Sequence, residues 1–154
     1  MKKLVIVANL LGVLQLTMAQ SINLTPLAIK GYDPVAYFTD NEAVEGSAEY
    51  EVTHDGAIYR FTSEAHKQLF QEKPESYLPQ YGGFCATGVA TANAKFPVDP
   101  NTFKVTRGKL YLFYNGPYQG AHFNGLDPWL KDEKDLIEKA NQNWLVLAQQ
   151  ETHQ

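Results

Sequence analysis

The stretch YEVTHDGAIYRFTSEAHKQLFQEKP, residues 50–74, sets the local architecture of this chain. Its first half has two runs rich in β-branched and aromatic residues, and these runs flank Asp55-Gly56. An Asp-Gly pair between such runs is typical of a two-residue hairpin turn, because both positions must adopt positive φ. The sequence therefore predicts an antiparallel β-hairpin whose tip is at Asp55.

The second half of the same stretch predicts a short helix after the hairpin. Ser63 is a favourable N-cap residue, and Glu64 lies in the first turn, where a negative charge is stabilising. Pro74 cannot continue a helix and is expected to end it. The residues predicted to form the buried face are Ala65, Leu69 and Phe70.

The rest of the chain extends this pattern. Residues 102–115 predict a second hairpin with its turn at Arg107-Gly108, and residues 74–100 indicate an irregular segment with one short helix. Apolar residues at helical spacing predict helix over residues 127–148, with a break near residues 131–134. The expected fold is a small single α+β domain with antiparallel hairpins, a short helix after the first hairpin and a C-terminal helix.

The N-terminus resembles a secretory signal. Residues 1–19 combine a double-lysine start, an apolar run and small residues before a cleavage point. The alternative is an uncleaved anchor. We expect a signal peptide over 1–19, a lead-in over 20–30, the domain over 31–148 and a disordered tail over 149–154. The mature protein would be periplasmic or secreted, with no stable membrane span.

Composition excludes some functions. The chain has 154 residues, 13 Lys and Arg against 17 Asp and Glu, and a formal net charge of −4. Sequence-independent binding of nucleic acid depends on clustered positive charge, so a nucleic-acid partner is not expected. The single cysteine excludes an internal disulfide and a self-contained dithiol cycle, and no HExxH, GxSxG, Walker or GxGxxG motif is present.

The lone cysteine is Cys85, in the segment YGGFCATGVA, residues 81–90. Free cysteine is commonly buried and packs like a small apolar group, which is one interpretation. The other is chemical: backbone N–H groups beside glycines can stabilise a thiolate, which is the reactive and metal-binding form. Spacing alone does not decide between the two.

Histidines are the other candidate ligands. His66 lies on the predicted helix at the border of its apolar face, where it is either a hydrogen-bonded helix residue or a functional group. His122 lies in a glycine-rich loop with no visible companion ligand. His54 lies beside the hairpin turn and is predicted to face solvent.

Several motifs taken together resemble the exported bacterial YHS-domain proteins. The resemblance covers about residues 31–145 and is carried by GYDPVAYF (31–38), YRFTSEAHKQLFQEKPESYLPQYGGFCATGVA (59–90), GKLYLFYN (108–115) and NQNW (141–144). It implies a YHS fold of the treble-clef-like TRASH group, whose relatives bind copper or another soft metal through cysteines. Here Ala36, Thr62 and Ala65 stand where those cysteines would be, which leaves His66 and Cys85.

The resemblance implies a metal-handling protein that binds copper first and zinc second. Cys85 would supply a thiolate and His66 an imidazole, a pair suited to Cu(I) or Zn. Asp33 would orient His66, bind the metal or only stabilise its own turn. Tyr81 and His122 are weaker candidate ligands, and a residue from a partner protein or a second copy is the other source that would complete the site.

Two alternatives come from other classes. In the first, the protein is a single-cysteine redox enzyme or sensor, with Cys85 as the reacting thiol and His66 as its activator. In the second, it is a metal-free module that binds a peptide or a small ligand. The leading hypothesis is binding rather than catalysis.

Overall fold

The computed structural model describes residues 25–150. The predicted signal peptide over 1–19, residues 20–24 of the predicted lead-in and residues 151–154 of the predicted tail lie outside this range. The strands pair as three antiparallel hairpins: β1 (Ser47–His54) with β2 (Ala57–Phe61), β3 (Asp99–Thr106) with β4 (Lys109–Phe113), and β5 (Asn115–Tyr118) with β6 (Ala121–Asn124). The predicted α+β class with antiparallel hairpins is confirmed.

Helices connect and cover the hairpins. They are α1 (Ala36–Thr39), α2 (Glu64–Glu72), α3 (Ala86–Ala92), α4 (Leu126–Lys131) and α5 (Glu133–Leu147). Short 3₁₀ segments occupy Ala28–Gly31, Pro74–Ser76 and Gln80–Gly83. The boundary between α4 and α5 is at Asp132, whose φ of −146° is not helical. No helix within residues 25–150 has the length and apolar character needed to cross a membrane.

The tight turns explain why each hairpin forms where it does. Asp55 and Gly56 have φ of 46° and 76°, which is the double positive φ of a type I′ turn. Arg107-Gly108 and Gln119-Gly120 repeat this pattern at the tips of the other two hairpins. The sequence pattern does not predict the third hairpin because its first strand reads NGPY, and glycine and proline are both unfavourable in strands.

Helix α2 buries only one of the three residues predicted for its buried face. The Ser63 hydroxyl accepts a hydrogen bond from the backbone N–H of His66, as expected of an N-cap. Phe70 is fully buried, but Ala65 is exposed and the exposed fraction of Leu69 is 38%. The buried face instead runs through His66 and Phe70, one helical turn apart, because β2 and the 33–36 turn lie on that side.

The apolar interior has two parts. The larger core is built from β4 and the helices α3, α4 and α5, and includes Cys85 and Trp129. A smaller cluster beneath the first hairpin consists of Val35, Phe61 and Phe70 with partly buried neighbours. Asp33 and His66 lie beside the smaller cluster, since Asp33 is two residues from Val35 and His66 is one turn from Phe70.

Candidate functional site

Asp33 is the centre of a buried polar network. Its side chain is fully buried, and its Oδ1 accepts hydrogen bonds from the backbone N–H groups of Val35 at 2.8 Å and Ala36 at 3.3 Å. Its Oδ2 accepts from the N–H and the Oγ1 of Thr62, both at 2.8 Å, and from Nδ1 of His66 at 2.7 Å. Five donors therefore converge on one carboxylate, which compensates for its burial.

The local sequence explains the two bonds to Oδ1. Asp33 precedes Pro34, whose missing N–H is no loss at the first position of a helical turn. The Asp33 carboxylate then caps the free N–H groups of the next two residues, as an N-cap side chain does. The turn-stabilising role considered for Asp33 is thus present, together with a direct contact to His66.

His66 is held in one orientation by this network. Because the carboxylate only accepts hydrogen bonds, Nδ1 of the ring donates, and in the neutral ring the lone pair is on Nε2. The exposed fraction of the His66 side chain is 16%. Nε2 lies 3.5 Å from Oγ1 of Thr39, which lies 3.2 Å from the carbonyl oxygen of Val35. Nδ1 is therefore held by a short hydrogen bond to Asp33, whereas Nε2 has only the long contact to Thr39.

Cys85 lies in the larger core, at the N-cap position of α3. The residue is 1% exposed and is a free thiol. Its N–H donates to the carbonyl of Phe96 at 3.0 Å, and its carbonyl accepts from Val89 at 3.0 Å. The preceding Gly82 and Gly83 have φ of 61° and 80°, so glycine is needed there for the left-handed backbone of the turn.

A cavity of about 310 Å³ lies against Cys85, and we name it the Cys85 cavity. It is formed by α3, the segment that follows α3, and the β5–β6 hairpin. Its lining is mostly apolar and aromatic, with exposed residues of α3 at its mouth. The lining residues are Cys85, Thr87, Gly88, Thr91, Ala92, Phe96, Pro97, Tyr114, Tyr118 and Phe123.

Most polar side chains of this lining already form hydrogen bonds within the protein. Oγ1 of Thr87 donates to the carbonyl of Gly125 at 2.6 Å, and Oγ1 of Thr91 donates to the carbonyl of Thr87 at 2.8 Å. The Tyr114 hydroxyl donates to the carbonyl of Pro117. Among the described residues no hydrogen bond to Sγ of Cys85 is found. The cavity thus offers a ligand mainly apolar walls, with the free cysteine Cys85 among the lining residues.

The weaker candidates have separate places. Tyr81 is buried, and its hydroxyl donates to Oδ1 of Asn141 on α5 at 3.0 Å. Burial raises the pKa of Tyr81, and Tyr111 nearby adds to the effect. Tyr81 is thus a neutral core residue that anchors α5. His122 is exposed on β6 and is paired with Pro117 across the third hairpin.

The three main predicted metal ligands, Asp33, His66 and Cys85, do not form one cluster. The structure brings Asp33 and His66 together, but Cys85 does not join them in a cluster of three ligand atoms within 4.8 Å of one another. Within residues 25–150, the one such cluster of His, Cys, Asp or Glu is His54, Asp55 and Glu75. A donor set of Cys85, His66 and Asp33 on a single metal ion therefore does not fit this arrangement.

His54 departs from its predicted position. Its side chain is only 24% exposed, and it packs against Tyr59 and Phe70 rather than facing solvent. The sequence of β1 could have indicated this burial, because alternate residues of a strand share a face and Val52 and His54 are two positions apart.

No family model, curated protein or solved structure matches this chain. The YHS resemblance therefore stays a prediction from the motifs.

Proposed function

We propose that this protein binds a small, mostly apolar molecule in the Cys85 cavity. The observation that carries the proposal is the lining: apolar and aromatic side chains surround a space of about 310 Å³, and the free cysteine Cys85 is one of the lining residues. Ligand sites in proteins are commonly concave, apolar and equipped with few polar groups, as this one is.

The size of the cavity limits the ligand. Its volume of about 310 Å³ is roughly twice that of an apolar cavity known to hold benzene. A bicyclic aromatic or a short branched aliphatic molecule is the expected size class. Tyr118 and Phe123 form the outer wall and are 43% and 36% exposed. Covering these rings would remove apolar surface from water, which favours binding.

Cys85 gives the cavity its chemical character. A thiol is a weak donor and a polarizable contact, so it suits an aromatic or sulfur-containing ligand better than a charged one. The same placement supports the thiol-enzyme alternative for small reagents that enter the cavity. A folded partner protein has no comparable access, because the residue is only 1% exposed.

The metal-handling hypothesis has less structural support than ligand binding in the Cys85 cavity. Copper or zinc binding through Cys85 and His66 stays a prediction from the YHS resemblance, as do the YHS family and export by residues 1–19. The support for a metal role of His66 is the Nε2 atom of its ring, whose contact with Oγ1 of Thr39 is long, at 3.5 Å. Within residues 25–150, no three ligand atoms of His, Cys, Asp or Glu cluster at His66. A partner protein or a second copy therefore stays part of this hypothesis as a source of ligands.

Indole is a suitable probe for the proposed function, because it is bicyclic, apolar and soluble. Calorimetric titration of the chain with indole is expected to show saturable one-site binding. Thr91→Trp places a large ring at the mouth of the cavity and is expected to abolish binding. The matched control, Glu138→Trp on the exposed face of α5, is expected to bind like the parent protein.

Two results would contradict this function. One is the absence of saturable binding across indole and a small panel of bicyclic and branched aliphatic compounds. The other is binding that Thr91→Trp leaves unchanged, since the ligand would then occupy a different place. Circular dichroism of both tryptophan variants checks that the fold is retained.

A further inference from the structure

We propose that His54, Asp55 and Glu75 form a binding site for a divalent transition-metal cation of the zinc class, and we name it the hairpin-tip site. His54 ends β1, Asp55 forms the turn, and Glu75 lies in the 3₁₀ segment after α2. The site thus joins two segments about twenty residues apart in the chain. It is independent of the Cys85 cavity, because none of its residues lines that cavity.

The distances between the ligand atoms suit a metal better than hydrogen bonds. Nε2 of His54 lies 3.4 Å from Oδ2 of Asp55 and 4.0 Å from Oε1 of Glu75. Both separations exceed normal hydrogen-bond lengths. A tetrahedral zinc ion with bonds of about 2.0–2.2 Å separates neighbouring ligand atoms by about 3.4 Å. The first pair already has this spacing, and the exposed Glu75 can rotate to reach it.

The imidazole supplies an independent indication. Nε2 of His54 is buried, and it has no hydrogen-bond partner among the described residues. Buried polar atoms are nearly always paired, so a cation bound here would give this nitrogen the partner that it lacks. The ring cannot easily turn away, because it packs edge-on against Phe70 at a centroid distance of 5.6 Å.

The donor set selects the class of cation. A neutral imidazole suits zinc and its neighbours in the transition series, and two carboxylates balance the charge of a divalent ion. The absence of a thiolate disfavours Cu(I), while the imidazole disfavours Mg²⁺ and Ca²⁺. Three protein ligands leave the fourth tetrahedral position to water.

Calorimetric titration of the full chain with Zn²⁺ alone, in a weakly coordinating buffer, tests the site. One equivalent is expected to bind, and excess Mg²⁺ is not expected to displace it. His54→Ala and Glu75→Gln should each weaken binding by at least about 100-fold. Loss of a residue that only hydrogen-bonds to a metal ligand costs up to about 100-fold in affinity, and loss of a ligand itself should cost no less. The matched controls His122→Ala and Cys85→Ser should bind as the parent protein does.

Several outcomes would overturn the proposal: no binding of Zn²⁺, displacement by Mg²⁺, loss of binding in Cys85→Ser or His122→Ala, or full retention in Glu75→Gln. His54 packs against Phe70, so His54→Ala also removes apolar contacts. Glu75 is 83% exposed, and its isosteric replacement removes charge without removing packing. The Glu75→Gln result therefore stands even if the histidine variant does not fold.

Discussion

Replacing Asp33 with asparagine tests the buried network that joins three segments of the chain. The substitution keeps the volume and one carbonyl oxygen, which can still accept from Val35 and Ala36 in place of Oδ1. On the other side an amide group replaces Oδ2, which accepts from Thr62 and His66. The backbone N–H of Thr62 then meets a donor instead of an acceptor.

The expected loss follows from these contacts. An unsatisfied buried N–H costs about 1–3 kcal/mol, and a hydrogen bond to a charged group contributes about 1.5–3 kcal/mol. We therefore expect Asp33→Asn to lower the free energy of unfolding by about 3–5 kcal/mol. That is a large part of the total for a domain of this size, which is typically about 5–15 kcal/mol.

Urea denaturation followed by circular dichroism measures this change. With a slope of about 2 kcal/mol per molar urea, the midpoint should fall by roughly 2 M. The matched control is Asp40→Asn, at an exposed aspartate just after α1, where we expect a change within about 0.5 kcal/mol. If Asp33→Asn matched that control, the five contacts would not stabilise the fold as argued.

Three further predictions concern backbone space, alkaline stability and thiol access. A Cβ at Gly46 would lie 2.5 Å from the backbone carbon of Arg60, so Gly46→Ala should cost about 3 kcal/mol in thermal unfolding. Gly56→Ala meets no atom within 4 Å and should cost only about 1 kcal/mol, from its positive φ; equal costs would contradict the steric argument. Burial, with Tyr111 nearby, raises the pKa of Tyr81. The tyrosine therefore ionises at lower pH in the unfolded chain than in the folded protein. The stability that Tyr81 contributes is complete below about pH 10 and is lost as pH rises further. Tyr81→Phe should reduce this loss in urea titrations from about pH 9 to about pH 11, and an unchanged slope would refute the assignment. Because Cys85 borders an apolar cavity and is 1% exposed, the small uncharged reagent methyl methanethiosulfonate should modify it at least roughly tenfold faster than the large charged reagent DTNB; similar rates would show that the cavity does not control access.

The sequence predicted the elements that short-range chemistry controls. Asp55-Gly56 and Arg107-Gly108 turned where expected, because the backbone angles of a tight hairpin depend on the residues of the turn itself. The Ser63 cap also follows from a contact three residues away. The third hairpin was missed because Pro117 lies in an edge position, where proline is tolerated but gives no sequence signal for a strand.

The candidate sites were less accessible to sequence reasoning. The sequence singled out Cys85, His66 and Asp33, and it left open whether they meet. It assigned His54 to solvent, whereas packing against Phe70 buries most of that ring. The difference arises because the exposure of a strand residue depends on what covers its face, and helix α2 supplies that cover only after folding.

The sequence by itself thus determined two of the three hairpin turns and the Ser63 cap, since each depends on residues within one helical turn or one hairpin. The α+β class follows from the order of the predicted hairpins and helices. The tertiary structure alone decided which distant side chains share an environment. Asp33 contacts Thr62 and His66, which are 29 and 33 positions away, while Cys85 lines a cavity together with residues of the β5–β6 hairpin. Such contacts depend on how apolar faces pack together, and local patterns do not specify that arrangement.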